Sequence, residues 1–215
     1  MKIVLASNNT SKLRELSDLL APMGHELVRQ ADLNIDAAEE TRQTFIENAI
    51  EKARHASARS GLPAIADDSG IAVHALDNAP GIFSARWSGE GATDSQNNRK
   101  LMQALQDQSD RTAHYYCALV FLSHAADPSP VIATGRWEGE ITMEARGENG
   151  FGYDPYFFVA EKGVTAAELT AEDKHALSHR GQAVRELVRK LRRAGREIDR
   201  GARNRPRGAR NRQPG

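Results

Sequence analysis

Cysteine is almost absent. Cys117 is the one cysteine in 215 residues, so no internal disulfide can staple the chain and no cysteine cluster can hold zinc. Its neighbours are apolar, which favours a buried, inert thiol. Long hydrophobic runs are missing too. The longest, Tyr115 to Leu122, falls far short of the ~20 residues that cross a bilayer. Ile3 to Ala6 is too small for the apolar part of a secretory signal. No membrane partner is expected, and the chain reads as cytoplasmic. Net charge is lacking as well: 29 Lys and Arg balance 29 Asp and Glu, which gives no chain-wide attraction for polyanions. Finally, no glycine-rich loop is followed by Lys-Ser or Lys-Thr, which argues against a P-loop NTPase.

What is present is ordinary globular composition, 40% hydrophobic and 27% charged, enough for a sizeable core in one domain or two closely packed lobes. The zero net charge conceals an asymmetry. From Gly195 to the end, seven arginines face only Glu197 and Asp199. Glycines and prolines interrupt that stretch and no aliphatic residue other than alanine follows Ile198, so the expected division is a folded domain over 1–196 and a disordered Arg-rich tail over 197–215.

The body alternates short strands and helices. Lys2 to Ala6 reads as a strand, the polar loop Ser7 to Lys12 follows, and Leu13, Leu16, Leu19 and Leu20 recur at helical spacing. Glu26 to Arg29 is a second strand. Thr44-Phe45-Ile46-Glu47 is a capping box opening a helix with Ile46, Ala49, Ile50 and Ala53 on one face, ended by Gly61-Leu62-Pro63. Ala64-Ile65-Ala66 is a strand that ends in Asp67-Asp68-Ser69-Gly70, with Ile71 to Leu76 resuming extended structure. A second box at Thr93 to Gln96 starts a helix to about Gln106. Arg111 to His124 and Val131 to Glu144 read as long strands, joined by the turn Asp127-Pro128-Ser129-Pro130. Tyr156 to Val159 is a further strand. Start signals at Thr165 and Thr170 precede a final helix from about His179 to Ala194. This is the pattern of an α/β protein with a mixed sheet flanked by helices.

Four segments could carry chemistry. The loop Ser7 to Lys12, between a strand and a helix, offers free N–H groups, a helix dipole and the Lys12 charge to a phosphate, though Ser and Asn there also serve as plain caps. Asp67-Asp68 at a strand end and Glu39-Glu40 in a loop supply the hard oxygens that suit Mg²⁺, or are an Asx turn and a solvated loop. Phe151-Gly152-Tyr153-Asp154 sets aromatics between glycines, either as a stacking platform for a base or as a plug for the core. Ser178-His179-Arg180 opens the last helix with a plausible cap. His175 and His179 are four apart, but no third zinc ligand is evident.

Taken together and in order, these segments resemble the inosine/xanthosine triphosphate pyrophosphatase family over residues 1 to about 194. The motifs are Ser7 to Lys12, Glu39-Glu40-Thr41 with Phe45 to Ala49, Ala66 to Gly70, Pro80 to Arg86, Phe151 to Pro155, and Ser178-His179-Arg180. The resemblance implies an enzyme that hydrolyses deaminated purine triphosphates (ITP, dITP, XTP) to monophosphate and pyrophosphate, keeping them out of DNA and RNA. It implies a two-lobed fold with an elongated mixed sheet, a nucleotide cleft between the lobes, a homodimer and a Mg²⁺ cofactor. Ser7, Asn8, Asn9, Thr10, Ser11 and Lys12 would wrap the triphosphate, with Lys52 as a further phosphate contact. Glu39 or Glu40 and Asp68 would serve the metal, and Asp68 would accept the proton of the attacking water. Ser69 would touch substrate, Phe151, Gly152, Tyr153 and Asp154 would hold the base and sugar, Lys174 would contact the nucleotide, and His179 and Arg180 would read the base edge. The Arg-rich tail is outside the family pattern.

The chemistry agrees with that reading. Cleavage between the α and β phosphates builds negative charge on the leaving pyrophosphate, which lysine, a helix N-terminus and Mg²⁺ stabilise. Hypoxanthine and xanthine present a 6-oxo acceptor where adenine presents an amino donor, and arginine only donates. Two rivals stand beside it. One is a similar pyrophosphatase acting on modified pyrimidines. The other is a nucleic-acid binder using the Arg tail, disfavoured because the rest of the chain carries the balancing negative charge.

Overall fold

A computed structural model describes residues 1–7, 13, 16, 17 and 20–203, with the backbone alone over 194–203. Seven strands form one mixed sheet in the order β2-β1-β3-β4-β5-β6-β7. They are β1 (Lys2–Leu5), β2 (Glu26–Arg29), β3 (Ala64–Val73), β4 (Thr112–Leu122), β5 (Val131–Ile141), β6 (Phe157–Val159) and β7 (Val164–Thr165). β1 pairs in parallel with β2 and β3, and the rest of the sheet is antiparallel. Four helices accompany it: α1 (Phe45–Ser60), α2 (Asp94–Ala104), α3 (Ala171–Leu177) and α4 (His179–Arg203). Of the expected first helix, Leu13, Leu16 and Leu20 are helical, while Leu19 lies outside the described residues.

Strand pleating sorts the core. Alternate residues of a strand face opposite sides, so Ile65, Cys117, Leu119, Phe121 and Ala133 face α4, where they meet Ala183, Val184, Leu187 and Val188. Ala64, Ala66, Ala118, Val120 and Leu122 face the other way onto Ala49, Ala53 and Ala56 of α1. A third cluster, built on Ile71, Val73, Tyr115, Trp137 and Phe157, fills the far end of the long strands and forms the second lobe. Each large aliphatic buried on these faces contributes about 1.5–3 kcal/mol. Cys117 is buried among them, as its neighbours suggested.

Caps hold the helices at the expected places. The Thr44 hydroxyl accepts from Glu47 N at 3.2 Å, and Thr93 with Gln96 forms the reciprocal box. The signal at Thr165 opens no helix. Thr165 ends β7, and the Glu168 carboxylate accepts its N–H at 2.7 Å in a turn. Thr170 caps the short α3 instead, and Ser178 Oγ accepts from Gly181 N at 3.2 Å to start α4. His175 and His179 therefore sit on different helices, and the described residues contain no cluster of three or more metal-ligating side chains.

Two further expectations are corrected. Asp67-Asp68-Ser69-Gly70 does not end a strand: β3 runs unbroken from Ala64 to Val73, because all ten of its residues stay in register with β4. The last helix does not stop near Ala194 but continues to Arg203, so the boundary placed at 196 falls inside α4. Its apolar face docked on the sheet nucleates the helix, and extension past that point through good helix formers such as arginine costs little. Residues 204–215 of the expected tail lie outside the described residues. No described helix is long and apolar enough to cross a membrane.

Candidate active site

The site forms where β3 loses its parallel neighbour. β1 pairs with β3 only through Val4↔Ala64 and Leu5↔Ile65. Further along, Ile71 N donates to Ser84 Oγ at 2.8 Å, and Ser84 belongs to the 3-10 turn Gly81–Arg86. Between those points one edge of β3 has no strand beside it among the described residues, and Ser7, just past β1, stands at its start. Asn8, Asn9, Thr10, Ser11 and Lys12 lie outside the described residues.

On the α1 side of this edge lies an acid–base cluster. Asp68 is only 7% exposed. Its Oδ1 accepts from Lys52 Nζ at 2.9 Å and its Oδ2 from Asn48 Nδ2 at 3.2 Å. Asn48 and Lys52 are one turn apart on α1, so the cap at Thr44 that phases the helix aims both at the strand. Lys52 also pairs with Glu40, whose other oxygen accepts from Arg86 Nη1 at 2.6 Å. Glu39 is exposed and lines a separate groove with Ile50 and Glu51. Of the two candidate glutamates, Glu40 is the one brought to Asp68.

Electrostatics separates the two acids. Burial pushes the Asp68 carboxyl above its ordinary value, and the Lys52 charge only partly offsets this. For Glu40, burial acts in the same sense, but hydrogen bonds from Lys52 and Arg86 outweigh it and hold the carboxyl below its usual range. Burial also works against the Lys52 ammonium, yet Asp68 and Glu40 raise its pKa, so it remains charged. Asp68 is the stronger base and Glu40 the fixed anion.

The opposite face holds a cavity of about 160 Å³ lined by Ser69, Tyr115, Phe151, Asp154, Lys174, His179 and Arg180, among others. That is smaller than the 300 Å³ or more that takes a whole ligand of moderate size, so it suits one part of a larger molecule. His179 stacks on Tyr115, with ring centroids 4.7 Å apart and planes within 8°. α4 reaches this position because β5 carries Gly135 beneath it; a Cβ there would sit 1.9 Å from the His179 carbonyl. Arg180 Nη2 lies 3.4 Å from Ser69 Oγ. Phe151 is 58% exposed, and the charged ends of Lys174 and Arg180 stand 4.9 and 5.6 Å from its ring centre.

Asp154 and Tyr153 are turned inward. Asp154 accepts from Phe151 N at 2.8 Å, from Tyr115 Oη at 3.3 Å and from Lys174. Tyr153 Oη donates to Ser84 O at 2.8 Å. Burial, with Asp154 beside it, raises the Tyr115 pKa well above the usual phenol value, so its O–H remains a donor.

Asn48, Arg86 and Tyr115 join the site without an assignment from sequence. Asn48 and Lys52 share a face at i, i+4 behind a visible cap, so the helical period could have found Asn48. Arg86 rides on a 3-10 turn, for which no periodic signal exists.

Comparison with known proteins supplies the remaining findings. A model of the Ham1 family matches residues 3–190. A protein of Nitrosomonas europaea named dITP/XTP pyrophosphatase is 57% identical over 190 residues, covering 88% of this chain and 94% of the relative. A HAM1 protein from Coxiella burnetii superposes with a TM-score of 0.87 at 48% identity, covering 90% of this chain and 99% of its own. The Ham1 protein of Staphylococcus aureus gives 0.84 at 37% identity, covering 89% and 98%.

Proposed function

From the Ham1 family, to which this chain belongs over residues 3–190, we propose the activity: hydrolysis of ITP, dITP and XTP to the monophosphate and pyrophosphate, at the bond between the α and β phosphates. The reading rests on relatives named dITP/XTP pyrophosphatase and on one observation in the chain. Ser69 borders the small cavity, while Asp68, its neighbour in β3, faces the acid–base cluster on the other side of the sheet. A base seated in the cavity would send its triphosphate across the edge of β3 that has no strand beside it among the described residues, toward Lys52 and Ser7.

Asp68 takes the proton of the attacking water at a carboxylate oxygen. Its burial favours the neutral form that results, and Asn48 and Lys52 hold the carboxylate in place. Lys52 keeps positive charge beside the phosphates as negative charge develops on the leaving pyrophosphate. Arg86 fixes Glu40 from the far side.

Mg²⁺ fits this donor set. Glu40 and Asp68 turn carboxylate oxygens toward the same lysine, and magnesium is commonly held by one or two carboxylates with phosphate and water completing its shell. Glu40 and Asp68 would hold it, and it would supply positive charge against the polyphosphate.

In the cavity, Arg180 donates to the 6-oxo group and so favours hypoxanthine and xanthine over adenine. Guanine shares that group but carries a 2-amino donor. The buried carboxylate nearby, Asp154, already accepts three hydrogen bonds, and the charged groups beside it, Lys174 and Arg180, are donors, a lining that would suit a further donor poorly. A panel of purine and modified pyrimidine triphosphates, with pyrophosphate detection, tests the assignment. The reading requires kcat/KM highest for ITP, dITP and XTP, and a preference for modified pyrimidines would transfer the enzyme to the rival class.

A homodimer and a cytoplasmic location belong to the same proposal. Sedimentation of the purified chain tests the first, and fractionation of cells the second.

A further inference from the structure

The segment carrying Phe151 is costly to hold in one shape. Glycines flank it on both sides, at positive φ of 79° for Gly150 and 63° for Gly152, and glycine loses more backbone freedom on ordering than any other residue. Yet the Gly152 peptide groups are gripped from outside the loop. Asp94 Oδ2 accepts from Gly152 N at 2.6 Å, and Asn98 Nδ2 donates to Gly152 O at 2.8 Å.

Both grips come from the first turns of α2. Asp94 and Asn98 stand four residues apart, so they lie one above the other on one helix face, and the Thr93–Gln96 box fixes where that face begins. The orientation of the Asn98 amide follows from its target. A carbonyl needs a donor, so Nδ2 is turned to Gly152 and the buried Oδ1 is left without a partner.

We propose that Asp94 and Asn98 are positioning residues that clamp Gly152 and thereby set Phe151 as a wall of the base cavity. The inference rests on the base-cavity reading above. Asp94 also borders the cavity, but its carboxylate is engaged by Gly152 N. It holds the Phe151–Gly152 peptide while Asn98 holds the Gly152–Tyr153 peptide, neither takes part in the phosphate chemistry, and hydrogen exchange of the loop separates the clamp from a direct contact of Asp94 with the base. The clamp makes a glycine-rich loop rigid before substrate arrives, so ordering it draws nothing from binding.

The test compares Asp94→Ala, Asn98→Ala and the conservative Asp94→Asn in the full-length chain. Each Ala variant is expected to raise KM for ITP about tenfold, the scale of one charge-assisted or buried hydrogen bond, with kcat within about two-fold. Asp94→Asn, whose amide oxygen can still accept from Gly152 N, is expected to recover most of the loss. Hydrogen exchange of residues 147–154 without nucleotide gives a second readout, expected to quicken in both Ala variants. Unchanged exchange, or a fall in kcat at constant KM, overturns the clamp. Faster exchange with unchanged KM for ITP overturns instead the placing of the base against Phe151. If Asn98→Ala fails to fold, Asp94→Ala and Asp94→Asn still decide the matter, because Asp94 is exposed at the helix start.

Discussion

Lys52 Nζ lies 2.9 Å from Asp68 Oδ1, so the buried carboxylate proposed as the base is paired with a half-buried cation. The pairing sets the pH behaviour. Burial raises the Asp68 pKa and Lys52 lowers it in part, with the sum above the ordinary value. Activity needs ionised Asp68, so kcat/KM falls as pH drops through that raised pKa. In Lys52→Met the lowering charge is gone, so the acid limb of the profile moves to higher pH, beside a loss of phosphate binding. A pH profile of kcat/KM for both forms measures this, and an acid limb that stays or moves down contradicts the pairing.

Asp68→Asn is expected to lower kcat by at least ~100-fold, since a general base commonly contributes 10²–10⁴. The circular dichroism spectrum should be unchanged. Near-normal turnover by the folded variant would remove Asp68 from the chemistry.

Arg180→Ala is expected to lose roughly 1–3 kcal/mol of preference for ITP over ATP, the scale of one good base contact. Steady-state kcat/KM on the two nucleotides measures it. If both values fall together, Arg180 serves the phosphates or the fold.

A stability prediction concerns Asp127 in the turn between β4 and β5. Its carboxylate accepts from Ser123 Oγ at 2.6 Å, Ser123 N at 2.9 Å and Ser129 N at 2.8 Å. The Ser123 bonds lead in lowering its pKa to about 2. A depressed carboxyl pKa stabilises the fold above the unfolded value near 3.8, and that contribution disappears as pH falls toward 2. Asp127→Ala should therefore cost about 1 kcal/mol at pH 7, and less below pH 3, in urea titrations. An equal cost at both pH values would mean that the ionised carboxylate is not what holds the turn.

Truncation after Arg203 is expected to leave kcat/KM for ITP within about two-fold at moderate salt. A small loss at low salt is compatible with steering of a polyanionic substrate, which added salt screens. A tenfold loss that persists at high salt would bring residues 204–215 into the active site or a subunit contact.

Much of the fold could be read from the sequence because its signals are local. The caps at Thr44, Thr93 and Thr170 open helices where the side chains suggested, and the paired long strands follow the runs of apolar residues. The β3 error has a physical origin. Asp67-Asp68-Ser69-Gly70 looks like a turn, but pairing with β4 overrides local preference, a long-range effect invisible in a window of four residues. The same register puts the adjacent acids on opposite faces of the sheet, where the sequence suggested a shared pair. The end of α4 was missed for the opposite reason: glycine spacing suggested disorder, while a docked helix tolerates isolated glycines. At the site, segment order pointed to Asp68, to Arg180 and to the pair Glu39-Glu40, between which it did not choose. It included Arg86 in a motif without giving it a role and said nothing of Tyr115; the two arrive through a 3-10 turn and through stacking on His179.

The most direct test of the central claim is product analysis by phosphorus NMR with ITP and Mg²⁺. The account predicts inosine monophosphate and pyrophosphate in equal amounts from the first turnovers, no hydrolysis once Mg²⁺ is chelated, and much slower turnover of ATP under the same conditions. Inosine diphosphate and orthophosphate as first products would contradict it, because the water would then have cleaved the terminal phosphate rather than the bond between the α and β phosphates.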